Sequence, residues 1–214
     1  GETQMKCESN LLSKVRSEAK SLTIGISPMV STSKILKYVD PAELKKVEYS
    51  LIFRHHHNEH LRQLLITGKA DVIITTDLEP EDEGRFSVEP YYTDKLCFVC
   101  SENVKLTRTN ADSFSYIQIG NDSYYGKLFH RFRNPDFQAP NARAAFEMLE
   151  YIPGFTICTE TQSKYLIPPC LHIQDAFIEV PIQFHLMYIV PGIALPHTTQ
   201  LMSFINRITE KPTE

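Results

Sequence analysis

Residues 61–75 read L-R-Q-L-L-I-T-G-K-A-D-V-I-I-T. Leu61, Leu64 and Leu65 recur at helical spacing, and Gly68 stands where a helix usually ends. Asp71 to Thr76 is then an apolar, β-branched run suited to a strand buried on both faces, as in a parallel sheet. Upstream, Val47 to Arg54 alternates through Val47, Tyr49, Leu51 and Phe53, which is the period of a second strand. Asn58 lies in capping position before the leucine stripe. Earlier still, Leu22 to Ser27 forms a compact strand. Pro28 and the hydroxyl cluster Ser31-Thr32-Ser33 follow, and Ile35, Leu36 and Val39 continue at helical spacing. Strand, helix, strand, helix, strand is a βαβ series and predicts an α/β fold.

Downstream the pattern is less regular. Phe86 to Val99 reads as extended chain around Glu89-Pro90, Tyr116 to Ile119 as a strand, and Tyr124 to Arg133 as a helix. Asn141 to Tyr151 is a clearer helix, with Ala144, Ala145, Met148 and Leu149 on one side. Gly154 to Cys158, Phe177 to Pro181 and Phe184 to Val190 read as strands, and Thr199 to Ile208 as a closing amphipathic helix. At the other end, Leu11, Leu12, Val15 and Ala19 mark a short helix over residues 8–20, and Gly1 reads as an expression scar.

Composition narrows the function classes. The chain has 214 residues, 22 Lys+Arg against 26 Asp+Glu, a net charge of −4 and a pI near 6.1. Nucleic-acid-gripping domains usually have a pI above about 9, so the main surface is not of that kind. The apolar run Leu186 to Leu195 is broken by Pro191 and falls far short of the roughly 20 residues that span a bilayer. No charged start followed by an apolar stretch marks a signal peptide. The chain has eight glycines and no G-x-G pair, so the dinucleotide fingerprint is absent. Gly120 to Leu128 misses the phosphate-loop spacing, and Gly25-Ile-Ser27 lacks the last glycine of a nucleophile elbow. Five cysteines, an odd number, do not form a disulfide framework. Cys97 and Cys100 have C-x-x-C spacing but lie in a strand, whose alternation points them to opposite faces, so a structural role is expected. A reducing, cytoplasmic compartment follows.

Three stretches in order carry a resemblance. They are L-T-I-G-I-S at 22–27, the 61–75 stretch with Glu89-Pro90 and Leu96 to Cys100 behind it, and Tyr151-Ile-Pro-Gly154-Phe-Thr-Ile-Cys-Thr-Glu160. Together they resemble the effector-binding domain of bacterial LysR-type transcriptional regulators. Thr156 stands where that family usually has a second glycine, and Glu160 where a proline is common. The resemblance implies a periplasmic-binding-protein-like fold of type 2, with two α/β subdomains joined by two crossover strands. Residues 1–20 would be scar and linker helix, 21–97 with 188–214 the first subdomain, and 98–187 the second. It also implies a cytoplasmic homo-dimer or tetramer. DNA would be contacted only through an N-terminal winged helix-turn-helix outside this chain, with no membrane contact, no cofactor and no catalytic residue.

Ligands of open α/β sheets bind beyond the carboxyl ends of strands. With two such sheets, that rule gathers Ser27, Ser31, Thr32, Ser33, His56, His57, Asn121, Ser123 and Asn141 around one cleft as ligand-binding candidates. The hydroxyls of Ser31 to Ser33 either cap a helix or meet an anion at its start. The run His55-His56-His57-Asn58-Glu59-His60 is a polar loop, an effector contact or, at the spacing of His57 or His56 with His60, a metal pair; it is not H-E-x-x-H, and no metal is assigned. Asn121 to Tyr124 is a turn or the opposite wall of the cleft, and Arg131 and Arg133 read as surface charges. The function expected is sensing of a small, anionic molecule without catalysis. The alternative is a solute-binding protein of a transport system, which shares the fold but is secreted.

Overall fold

The computed structural model describes residues 21–46, 50–76, 78–120, 134–177, 181–189 and 196–210. The helices expected over 8–20 and 124–133 lie outside them, as do Asn121 and Ser123.

The βαβ series folds as its periodicity dictates. Strand β1 (Ser21–Ile26) pairs in parallel with β2 (Ser50–His55) on one side and with β3 (Val72–Thr75) on the other. Every residue of β3 is buried, as its uninterrupted apolar run requires. Between these strands lie α1 (Thr32–Leu36), α2 (Pro41–Lys46) and α3 (Asn58–Ile66). Helix α3 seats Leu61 and Leu65 on the sheet, and Gly68, just past its C-cap Thr67, has a φ of 66° that glycine adopts without strain. A short α4 (Asp82–Arg85) leads into β4 (Ser87–Asp94).

The chain then changes sheets across one residue, Lys95, and enters β5 (Leu96–Ser101). A 3-10 turn at Ala111–Ser113 precedes β6 (Ser115–Ile119), followed by β7 (Phe137–Ala139) and α5 (Ala142–Leu149). Then come β8 (Gly154–Thr159), α6 (Glu160–Leu166) and β9 (Leu171–Asp175). The return runs between Asp175 and β10 (Ile182–Tyr188), and α7 (Pro196–Thr209) closes the described chain.

The two sheets follow one plan. The first has the order β2-β1-β3-β10-β4 and the second β7-β6-β8-β5-β9. In each, three parallel strands are followed by one antiparallel strand and then an outer strand that reverses again. Strand β10 pairs with β4 from Ile182 to Tyr188 and with β3 from His185 to Tyr188. A continuous apolar cluster joins the sheets, with Ile24, Ile74 and Phe184 from the first and Phe98, Phe155 and Ile157 from the second.

Several elements depart from the sequence reading, α2, α4 and β7 among them. Asn58 is the first residue of α3 and His57 its cap, because the Asn58 side chain is buried and bonded elsewhere. The late strand of the second sheet is Leu171–Asp175, not Phe177 to Pro181; Phe177 lies in a bend after it, and 178–180 are outside the described residues. Helix α6 was not anticipated. It begins with a capping box, in which Thr159 Oγ1 accepts from Gln162 N (3.2 Å) and Gln162 Oε1 accepts from Thr159 N (3.1 Å).

Candidate functional site

Both sheets present strand ends to the loop between β1 and α1. Ser27 is fully buried there, and its backbone N–H donates to Ile74 O at 3.2 Å. Its carbonyl accepts from Val30 N at 3.0 Å, and its hydroxyl accepts from Met29 N at 3.3 Å, so it shapes the loop from inside. From helix α6, which follows β8 of the second sheet, Gln162 Nε2 donates to Pro28 O at 2.8 Å. Gly120, at the end of β6, lies under the same proline. Its φ is +70°, and a Cβ built there would sit 3.2 Å from Pro28 Cγ and 3.7 Å from His57 Nδ1. Residues 27–33, His57, Gly120 and Gln162 thus converge from four separate stretches of chain. That convergence is the candidate site.

Its hydroxyls do not do what simple capping would have them do. Ser31 is the N-cap of α1, with φ −85° and ψ 119°, yet its side chain makes no cap hydrogen bond. Instead the Ser31 and Ser33 hydroxyls lie 2.7 Å apart and bond each other. Thr32 begins the helix and is half-buried. With only five residues, α1 contributes a weak dipole, so any ligand here is held mainly by hydrogen bonds. Beneath α1, Lys34 Nζ sits 5.3 Å above the Tyr92 ring, and Tyr91 donates its hydroxyl to Lys34 O at 3.3 Å. Burial, followed by the charge of Asp94, pushes the Tyr92 phenol far above its usual range and keeps it neutral.

The histidine run divides among three structures. His55 ends β2 beside Ile26, and burial followed by the neighbouring His56 charge lowers its pKa. His56 is exposed, with its N–H donating to Ile26 O at 3.1 Å. His57 caps α3 through its carbonyl, which accepts from His60 N (2.9 Å) and Leu61 N (3.1 Å). The His57 and His60 rings are 6.3 Å apart and tilted by 55°. Among the described residues, no group of three or more His, Cys, Asp or Glu side chains is placed to hold a metal ion. Asn141, the remaining candidate, caps α5, and its Oδ1 accepts from Ala144 N at 2.9 Å. It is exposed, and no described contact joins it to the β1–α1 loop.

Several residues escaped the candidate set. Thr75 Oγ1 donates to Asn58 Oδ1 at 2.7 Å, and Asn58 Nδ2 donates to Thr76 Oγ1 at 3.3 Å, which fixes the carboxyl end of β3. Behind it, Arg62 grips Asp82 with Nε–Oδ1 at 2.8 Å and Nη2–Oδ2 at 2.6 Å, both side chains buried. Hydroxyls closing a strand were the available signal for Thr75 and Thr76. The threonine and glutamine of the capping box were the signal for Gln162.

No protein-family model matches the chain. No curated protein matches it by sequence. Solved structures do match it by shape. A mutant OxyR2 regulatory domain from Vibrio vulnificus, solved with sulfate bound, superposes with a TM-score of 0.64 at 15% identity, over 90% of this chain and 97% of that one. The reduced form of OxyR gives 0.63 at 18%, over 92% of this chain and 100% of that one. The chain has the fold of the OxyR regulatory domain. An OxyR mutant from Corynebacterium glutamicum gives 0.64 at 13% identity, over 97% of this chain and 71% of that one. The OxyR-like fold is the type 2 periplasmic-binding-protein-like architecture expected from sequence: two α/β subdomains, here meeting at Pro28, Gly120 and Gln162. No described helix is long and apolar enough to cross a membrane.

Proposed function

We propose that this chain is the sensing half of a LysR-type transcriptional regulator, cytoplasmic and without catalytic activity. A small anion is held between the two sheets at the β1–α1 loop. The observation that carries the reading is the junction at Pro28, where the Gln162 hydrogen bond and the Gly120 contact bring the second sheet onto a loop of the first. A ligand bound there touches both subdomains and biases their relative position, which is what a sensor requires. The first N–H groups of a helix have no partner inside it, and α1 adds two adjacent serine hydroxyls and a threonine to them. The sulfate bound by the OxyR2 domain, which shares this fold, supports an anion as the ligand class. The reading assigns DNA contact to a winged helix-turn-helix and self-association to this α/β unit. Asn121, Ser123 and Asn141 remain proposed ligand contacts.

Calorimetric titration of sulfate into the native chain, Thr32→Ala and Ser33→Ala tests the site. A hydrogen bond to a charged group is worth roughly 1.5–3 kcal/mol, so each loss weakens binding about tenfold or more. Unchanged affinity in both variants removes the site assignment. Sedimentation of the same samples should show a dimer, and monomer alone at tens of micromolar would remove the self-association.

A further inference from the structure

Cys97 on β5 lies directly opposite Cys158 on β8 in an antiparallel ladder, with the two sulfurs 3.9 Å apart. The C-x-x-C partner, Cys100, is on the other face of the strand and in the other core cluster, as alternation dictates. Cys158 is fully buried. Cys97 lines a cavity of about 760 Å³, shared with Lys95, Glu160, Ser163, Lys164 and Asp175. Opposed residues of an antiparallel pair have Cα atoms roughly 4.5–5.5 Å apart, inside the range of about 4.4–6.8 Å that a disulfide spans. Cys97, 4% exposed, borders the cavity, Cys158 lies behind it, and the cavity lining carries two ammonium and two carboxylate groups.

We propose that this cavity is a thiol–disulfide exchange site for a small disulfide bearing amino and carboxylate groups, and that its product is a Cys97–Cys158 disulfide. The Cys97 thiolate, having lost its proton to solvent, attacks one sulfur of the small disulfide. That S–S bond breaks, and the first thiolate leaves with the electron pair and is protonated. Cys158, losing its own proton, then attacks Cys97 Sγ; the mixed disulfide breaks and the second small thiol leaves through the cavity. Two protein thiols are oxidised, and one small disulfide is reduced to two thiols. The order of attack follows from the surroundings. The Cys158 thiol bonded to Cys97 lowers the Cys97 pKa against the opposing effect of burial, with Ser163 assisting, whereas burial holds Cys158 well up. A hydroperoxide would need none of the four charged groups. The inference is independent of the effector reading, since the Cys97 cavity shares none of the residues assigned to the anion.

The test is incubation of the intact chain with oxidised glutathione, alkylation of the remaining thiols under denaturing conditions, and peptide mass analysis. The expected result is a Cys97–Cys158 linked peptide in the native chain and a glutathione adduct at Cys97 in Cys158→Ala. Cys97→Ser should give neither product. The linked peptide needs no variant, so the result stands even if a substitution impairs folding. Glutathione found only on other cysteines, such as the exposed Cys170, would overturn the proposal. So would a Cys97–Cys158 link formed by hydrogen peroxide but not by oxidised glutathione.

Discussion

Gly120 shows how one backbone position ties the two halves of the site together. A left-handed φ of +70° costs an ordinary residue about 1–2 kcal/mol, and the added methyl would also press on Pro28 Cγ at 3.2 Å. Gly120→Ala is therefore expected to lower stability by at least about 1 kcal/mol, read from the urea midpoint at unchanged slope. An unaltered midpoint would mean that the loop relaxes freely. None of this was legible in the sequence, where Gly120 opened a failed phosphate loop. Its neighbour in the fold is Pro28, some ninety residues away along the chain. The serines were half legible. Position and chemistry placed Ser31 and Ser33 at a helix start, but only the coordinates show their hydroxyls satisfied by each other.

At the scale of elements, α3, α4 and the end of β3 are locked by the Arg62–Asp82 pair. Arg62 also donates to Asn58 O at 3.3 Å, and Asp82 Oδ2 accepts from Glu79 N at 2.7 Å. Breaking a buried pair from one side leaves an uncompensated charge and costs about 3–5 kcal/mol. Asp82→Asn should therefore be strongly destabilising at neutral pH. The sign of its pH dependence follows from the carboxyl. Burial alone would raise its pKa, but the Arg62 and Glu79 hydrogen bonds and the Arg62 charge outweigh that and hold it below 3.8. The stabilisation is complete above the unfolded value and is lost as pH falls through the lower folded one. The native-minus-variant gap in urea stability should accordingly be constant from neutral pH to about 5 and shrink below 3.8. A gap unchanged in acid would contradict the ionic account. Elements with strong local patterns, β1, β3, α3, α5 and α7, were legible. Strand β9, half exposed along Leu171–Asp175, was not, because an outer strand has no continuous apolar face to announce it.

Across the whole molecule, two sheets of one plan are linked at Lys95 and between Asp175 and Ile182. In the proposed reading, the junction at Pro28 is where a ligand touches both subdomains and biases their relative position. The fold could be read from sequence because βαβ periodicity is local; the site could be read only in part, because Gln162 and Gly120 reach it through tertiary packing. The central claim, an anion held at this junction, is tested most directly by titrating sulfate into isotope-labelled protein and following backbone amide resonances. The account predicts saturable shifts that are largest at Val30 to Ser33, His57 and Gly120. Shifts confined to other surfaces, or none, would contradict it.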